Sequence, residues 1–278
     1  MQVAFYASGN PVHDNVIGSM LAGLPDARSA TVSHNFEYVE ADIAVVFGVH
    51  KNQVPISWPR GKIIARQRAC GGDVIVLETG YIKRGDGPDD YYAAGFNGLN
   101  GRAYFNNENM PTDRADELGV VLQPIRYGGK KILLCGQVPQ DASVDHIDIM
   151  RWLHAARDEI KKRTDREILF KPHPKAPIGP IAGCGYTTRP LIEAIQDCSS
   201  VVTFNSNSAV EAVIEGVPVF AFDRGSMAWD VANTSWDDII YPLHGDRRQW
   251  LNDLAYAQWT PTEMREGKAW QHLLQNRT

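Results

Sequence analysis

The chain has 278 residues, 44% of them hydrophobic and 22% charged, with a net charge of −5 and a sequence pI of about 5.9. This balance predicts a globular protein with an ample core and argues against a broadly basic binder of nucleic acid or anionic membrane. The N-terminal "MQVAFYASGN" lacks the basic start and cleavage site of a signal peptide, and no apolar run reaches the roughly 18 residues that span a bilayer, so a cytoplasmic protein is expected.

Cys70, Cys135, Cys184 and Cys198 are far apart and form no Cys-x-x-Cys pair. They read as reduced thiols rather than a disulfide or zinc framework.

In chain order, "VAFYA" (3–7) is the first strand-like run, and "SGNPVHDN" (8–15) follows it with His13 and Asp14 at the start of a helix. Either residue could face a substrate there, and Asp14 could equally cap the helix. The runs "DIAVVFGV" (42–49) and "DVIVLE" (73–78) come next, the second ending in Glu78. Residues 84–128 are rich in Gly, Asn, Asp and aromatics and show neither the helix nor the strand period. They read as a long loop region over a site, whose "YYAAGFNGLNGRAYFNN" could stack a sugar or a nucleobase.

The glycine pair in "YGGKK" (127–131) marks a boundary, after which alternation resumes with "KILLCG" (131–136). Ile149, Leu153, Ala156 and Ile160 then fall on one stripe of an amphipathic crossover helix. "EILFKP" (167–172), "SSVVTF" (199–204) and "PVFAFD" (218–223) are the remaining strands. Continuous apolar runs of this kind suit parallel strands covered on both faces. The tail 246–275 reads as two helices, the second opened by Thr260 as N-cap, Pro261 and a capping-box Glu263. The fold class is therefore α/β with two lobes: 1–128, 129–245, and C-terminal helices 246–278 that pack back across them.

Three polar strand ends fall in the second lobe. Asn205-Ser206-Asn207-Ser208 lies between a strand and a helix, where free N–H groups and the helix dipole favour a phosphate, and Glu211 one turn on could reach a ribose hydroxyl. Ser208 and Glu211 would alternatively form a capping box. "FKPHP" (170–174) holds Lys171 and His173 between prolines, a point charge and a proton donor for a phosphate, or else a rigid turn with an exposed histidine. "GQVPQDASV" (136–144) adds Gln137 and Ser143 after a third strand, at the edge where open α/β sheets bind ligands.

"GQVPQDAS", "FKPHP" and "VVTFNSNSAVEAVIEGVPVFAFDRGSMAW" resemble, in order and spacing, the blocks of the capsular polysaccharide glycosyltransferases that transfer Kdo. "VIVLETGYIKR" (74–84) is similar to that family's Glu-Asp-Gly block, and the likeness covers roughly residues 74–230. It implies a GT-B-like fold with two Rossmann-like lobes and a cleft between them. It also implies a nucleotide-sugar donor, with Lys171 and His173 on its phosphate, Ser206 and Ser208 in the phosphate turn and Glu211 on the ribose. Thr79 stands where the family has an aspartate, which leaves Glu78 as the carboxylate of that block, with His13 and Asp14 as further catalytic candidates.

No metal site and no cofactor beyond the donor are expected; the pairs at 89–90 and 237–238 follow no apolar strand. The acceptor is a glycan or, if Arg102, Arg114, Arg126, Lys130 and Lys131 form a basic groove, a hydroxymethylated pyrimidine in phage DNA. A glycerophosphotransferase, a nucleotide-sugar epimerase and a catalytically degenerate binding module are the alternatives.

Overall fold

A computed structural model describes all residues except 50–57, 86, 88–89 and 276–278. The chain forms two compact units, Met1–Pro111 with Asp253–Thr278, and Thr112–Asn252.

The first unit carries a six-stranded sheet in the order β11-β5-β4-β3-β1-β2. Its strands are β1 (Val3–Tyr6), β2 (Ala30–Ser33), β3 (Ile43–Phe47), β4 (Asp73–Thr79), β5 (Tyr92–Phe96) and β11 (Gln258–Trp259). The first four are parallel; β5 and β11 are antiparallel additions at one edge. Successive strand residues point to opposite faces. Accordingly Val3, Phe5, Val45, Ile75 and Leu77 share one core with helices α1 (Pro11–Ala22), α8 (Pro261–Arg265) and α9 (Lys268–Leu273). Ala4, Tyr6, Ala44, Val46, Val74 and Val76 share the other with Ile63 and Ile64 of α2 (Trp58–Ala69). Burial on both faces is why these strands read as unbroken apolar runs.

The second unit holds a five-stranded sheet, β10-β9-β6-β7-β8, all parallel. Its strands are β6 (Lys131–Cys135), β7 (Glu167–Lys171), β8 (Gly185–Tyr186), β9 (Cys198–Thr203) and β10 (Val219–Ala221). Its helices are α3 (Asp113–Leu118), α4 (Ile149–Lys161), α5 (Leu191–Ala194), α6 (Ser208–Ile214) and α7 (Arg247–Ala255), the last running across the division at 252/253. The expected stripe of α4 is the buried one: Ile149, Leu153, Ala156 and Ile160 face the core.

Three features differ from the sequence reading. Residues 112–128 belong with the second unit, because Gln123 N–H donates to Ile214 O, Arg126 N–H to Gly216 O, and Arg247 to the carbonyls of Val213 and Gln123. Within 84–128, residues 92–96 are a strand and 113–118 a helix, and Tyr92, Phe96 and Phe105 are core residues rather than a stacking surface. The short buried strand Tyr-Ala-Ala-Gly-Phe has too few residues to show a period. The tail from Asp253 on is part of the first unit and contains β11 as well as helices; the Thr260–Glu263 capping box is present.

Two glycines are required by close approach. Gly216 ends α6 at φ +75°, and a Cβ there would stand 2.0 Å from Pro124 O. Gly80 donates its N–H to Tyr91 O, where a Cβ would stand 2.4 Å from that oxygen. The tail is fastened to α1 by Trp270, which is fully buried and donates Nε1–H to Met20 O at 2.7 Å. Trp270→Ala is expected to lower unfolding free energy by about 3–5 kcal/mol in urea denaturation, the cost of an emptied aromatic site plus an orphaned carbonyl.

Candidate functional site

Parallel strands deliver their C-terminal ends to one edge, and a crevice opens there where consecutive connections leave a strand in opposite directions. In the second unit that point is at β6, flanked by β7 on one side and β9 on the other. The C-terminal ends of β6, β7, β9 and β10 and the segments that follow them supply Gln137 and Ser143, Lys171 and His173, Asn205–Ser208, and Asp223.

Asn205 is the hub of this edge. Its Nδ2 donates to Ser143 O at 2.8 Å and to Asp223 Oδ1 at 2.7 Å. Gln137 and Asn205 pair reciprocally: Gln137 Nε2 donates to Asn205 Oδ1 at 2.6 Å, and Asn205 N–H donates to Gln137 Oε1 at 3.1 Å. Gln137 and Asn205 are both buried, so their amides brace three loops. Ser143 Oγ donates to Asp141 at 2.7 Å, an exposed turn contact. Asp223 also accepts from Gly225 N–H and lies 3.5 Å from His146 Nε2.

The serine turn lies beside this brace. Ser206 and Ser208 hydroxyls are 3.1 Å apart, and Ser208 N–H donates to Ser206 Oγ at 3.3 Å. Asn207 occupies the N-cap position of α6 without a side-chain cap bond, so Ser208 is the first helical residue and does not form the capping box with Glu211. Ser208 instead reaches the Cys135 thiol, on which Lys171 and Glu211 also act; burial dominates and pushes that thiol up to about 12. Ser208, Lys171 and Glu211 are thus within electrostatic reach of the thiol that ends β6. Cys135 and Lys171 pair in register across β6 and β7.

His173 follows Lys171 in a stiff turn, with Ala176 N–H donating to His173 O at 2.9 Å. Its Nδ1 accepts from Lys175 N–H at 3.1 Å. A neutral ring with Nδ1 as acceptor carries its proton on Nε2, which makes that nitrogen a donor.

In the first unit the corresponding reversal lies at β1, between β2 and β3. His13 stacks flat on Phe47 there, ring centroids 3.9 Å apart at 9°. Asn10, not Asp14, caps α1, accepting from Val12 and His13 N–H. Asp14 organises the turn before the helix, accepting from Ser8 N–H at 2.6 Å, Ser8 Oγ at 3.0 Å and Gly9 N–H at 2.9 Å. Glu78 is half-buried at the end of β4, and its Oε1 accepts from Thr79 N–H at 2.9 Å. The loop beyond is latched by buried Gln258, whose Oε1 accepts from Tyr81 and Ile82 N–H at 2.8 and 3.0 Å. Arg60 of α2 is 5% exposed; burial lowers the pKa of its guanidinium, against the attraction of Glu78 and then Asp14.

Arg60, Asp223 and His146 escaped the sequence reading. Asp223 ends an apolar strand run and was open to the same strand-end reasoning; an arginine inside a helix gives no such signal. Of the residues expected to line a basic groove, Arg114 is 8% exposed, Arg126 pairs with Glu215 and Lys131 with Glu167, while Arg102 and Lys130 are exposed. Of the acidic pairs, Asp89 lies outside the described residues and Asp237 pairs with Arg163. No group of three metal-ligating side chains occurs among the described residues, nor any helix long and apolar enough to cross a membrane.

No protein-family model matches the chain, and no curated protein matches it. Among solved structures, the β-Kdo 2,7 transferase of Thermosulfurimonas dismutans KpsC is similar at a TM-score of 0.57 and 18% identity, over 92% of this chain and 90% of that one. The β-Kdo 2,4 transferase of the same protein is similar at a TM-score of 0.61 and 14% identity, over 92% and 90%. An S. aureus MnaA–UDP structure reaches a TM-score of only 0.32 at 9% identity, over 99% and 95%. The first two likenesses show the fold, a GT-B-like pair of Rossmann-like units.

Asn205→Ala removes the hub of the second unit's brace and leaves Gln137 and Asp223 short of partners. It is expected to cost about 2–4 kcal/mol in urea unfolding; a variant within experimental error of wild type would show that the brace carries no load.

Proposed function

We propose that the chain is a glycosyltransferase that moves a sugar from a nucleotide-sugar donor to a hydroxyl of a glycan. The observation that carries this reading is that Lys171 and His173 at the end of β7 and the Ser206–Ser208 turn after β9 flank the end of β6, with Glu211 one turn into α6.

In this reading the donor phosphate lies against Lys171, His173 and the turn of Ser206, Asn207 and Ser208, and Glu211 binds the ribose. As the bond from the anomeric carbon to the phosphate oxygen breaks, charge grows on that oxygen. Lys171 meets it as a point charge, and His173 Nε2–H donates to it. Gln137 and Ser143 serve by holding the loops rather than by touching the donor. The chemistry as drawn needs no metal, because the cation and the proton donor are side chains.

The acceptor hydroxyl must lose a proton, and Glu78 is the candidate base, half-buried at the end of β4. Asp14 is committed to the Ser8–Gly9 turn and His13 to its stack on Phe47, so both shape the acceptor-side loop. Both neighbours of comparable fold are named for Kdo transfer and neither for work on DNA, which favours a glycan hydroxyl over a pyrimidine acceptor.

The test is a panel of UDP-, CMP-, GDP- and dTDP-linked sugars, followed by chromatography that separates glycoside, free sugar, epimer and glycerophosphate products. Lys171→Ala and His173→Ala are each expected to lower kcat/KM for the donor about 10–100-fold, the loss of one charge-assisted hydrogen bond that strengthens as the leaving group gains charge. Epimerised donor, or no consumption of any donor by the wild type, would overturn the reading.

A further inference from the structure

Arg60 is a permanent charge in an unusual position. Its side chain is 5% exposed, and its Nε–H is buried with no hydrogen-bond partner among the described residues. Buried polar groups are ordinarily satisfied, so an orphaned guanidinium N–H beside the C-terminal edge of the first sheet points to an absent oxygen.

The carboxylates that attract Arg60 are engaged elsewhere. Asp14 accepts from Ser8 and Gly9, and Glu78 accepts from Thr79 N–H through Oε1. Glu78 lies at the end of β4, which pairs in parallel with β3, and Arg60 opens the helix that follows β3, so both stand at one edge of the first sheet. With Asp14 also attracting the guanidinium, the local charge is net negative. A phosphate or carboxylate ligand would add a further negative charge, whereas a hydroxyl adds none. A hydroxyl oxygen can also accept from Arg60 while its own proton is donated to Glu78, a pairing that no oxyanion can make.

We propose that Arg60 is a catalytic residue that binds, through Nε–H, the oxygen of an uncharged sugar hydroxyl whose proton Glu78 removes. This rests on the glycosyl-transfer reading. The O–H proton passes to the Glu78 carboxylate and the oxygen lone pair forms the new bond to the anomeric carbon. The bond from that carbon to its leaving group breaks, its electron pair departing with the group. Arg60 acts on the negative charge that builds on the oxygen between the first and second events, where a fixed donor in a dry site has the most effect.

Two measurements test this on the full chain. In saturation-transfer difference NMR with glucose, galactose and the corresponding uronic acids, the neutral sugars are expected to show saturation by the wild type. That saturation should weaken about tenfold in Arg60→Met, and partly return in Arg60→Lys, which keeps the buried charge. Melting curves establish that each variant is folded, and Arg60→Lys alone suffices if Arg60→Met is not. Equal saturation in all folded variants, stronger binding of the uronic acids, or none by the wild type overturns the proposal.

In donor-consumption assays Arg60→Met is expected to lower kcat by about 10²–10³ with little change in donor KM. Undiminished kcat would overturn Arg60's role and leave the transferase reading standing. Arg60-dependent sugar binding in a wild type that consumes no donor would sustain the Arg60 site while removing that reading.

Discussion

A parallel strand cannot be joined to its neighbour by a tight turn, so each crossover carries the chain back across the sheet and returns it to the starting edge. In both units of this protein the parallel strands therefore end together, and the residues that follow them are gathered without being near in sequence. Lys171 at the end of β7 and the Ser206–Ser208 turn after β9, with Glu211 one turn into α6, come to either side of the end of β6 because β6, β7 and β9 pair in parallel. The same constraint sets the ends of β1, β3 and β4 beside one another in the first unit.

Loops that converge must still be held, and here buried amides hold them. Asn205 joins three strand ends through four hydrogen bonds at 2.6 to 3.1 Å, and Gln258 latches the loop after Glu78 from the far end of the chain. Such networks stabilise only when complete, since an unpaired buried amide costs about as much as several exposed contacts contribute. A rigid edge also reduces the ordering lost when a ligand binds.

Much of the architecture was legible because burial on both faces writes itself as apolar runs. All seven predicted strand runs contain a strand, and α4 buries the predicted stripe. What escaped were elements too short to show a period: β2, β5, β8 and β11, of which β5 turned two aromatics read as a stacking surface, Tyr92 and Phe96, toward the core. The boundary expected at 128 also missed the hydrogen bonds that tie residues 123 and 126 to Ile214 and Gly216, because such pairings join segments remote in sequence.

The sequence by itself determined the α/β class, the strand ends that carry polar residues and the stiffness of Pro-His-Pro, since all three follow from local pattern. Which hydrogen bonds each polar residue makes follows from contacts between segments distant in sequence. Gln137 pairs with Asn205, Ser143 bonds Asp141 through its hydroxyl and Asn205 through its carbonyl, and Ser208 and Glu211 do not form the capping box that their spacing offered. Arg60 gave no signal until folding buried its guanidinium and left its Nε–H without a partner, within electrostatic reach of Glu78 and Asp14. A side chain's role depends on which partners remain after the backbone has taken its own, and that is settled only when distant strands meet.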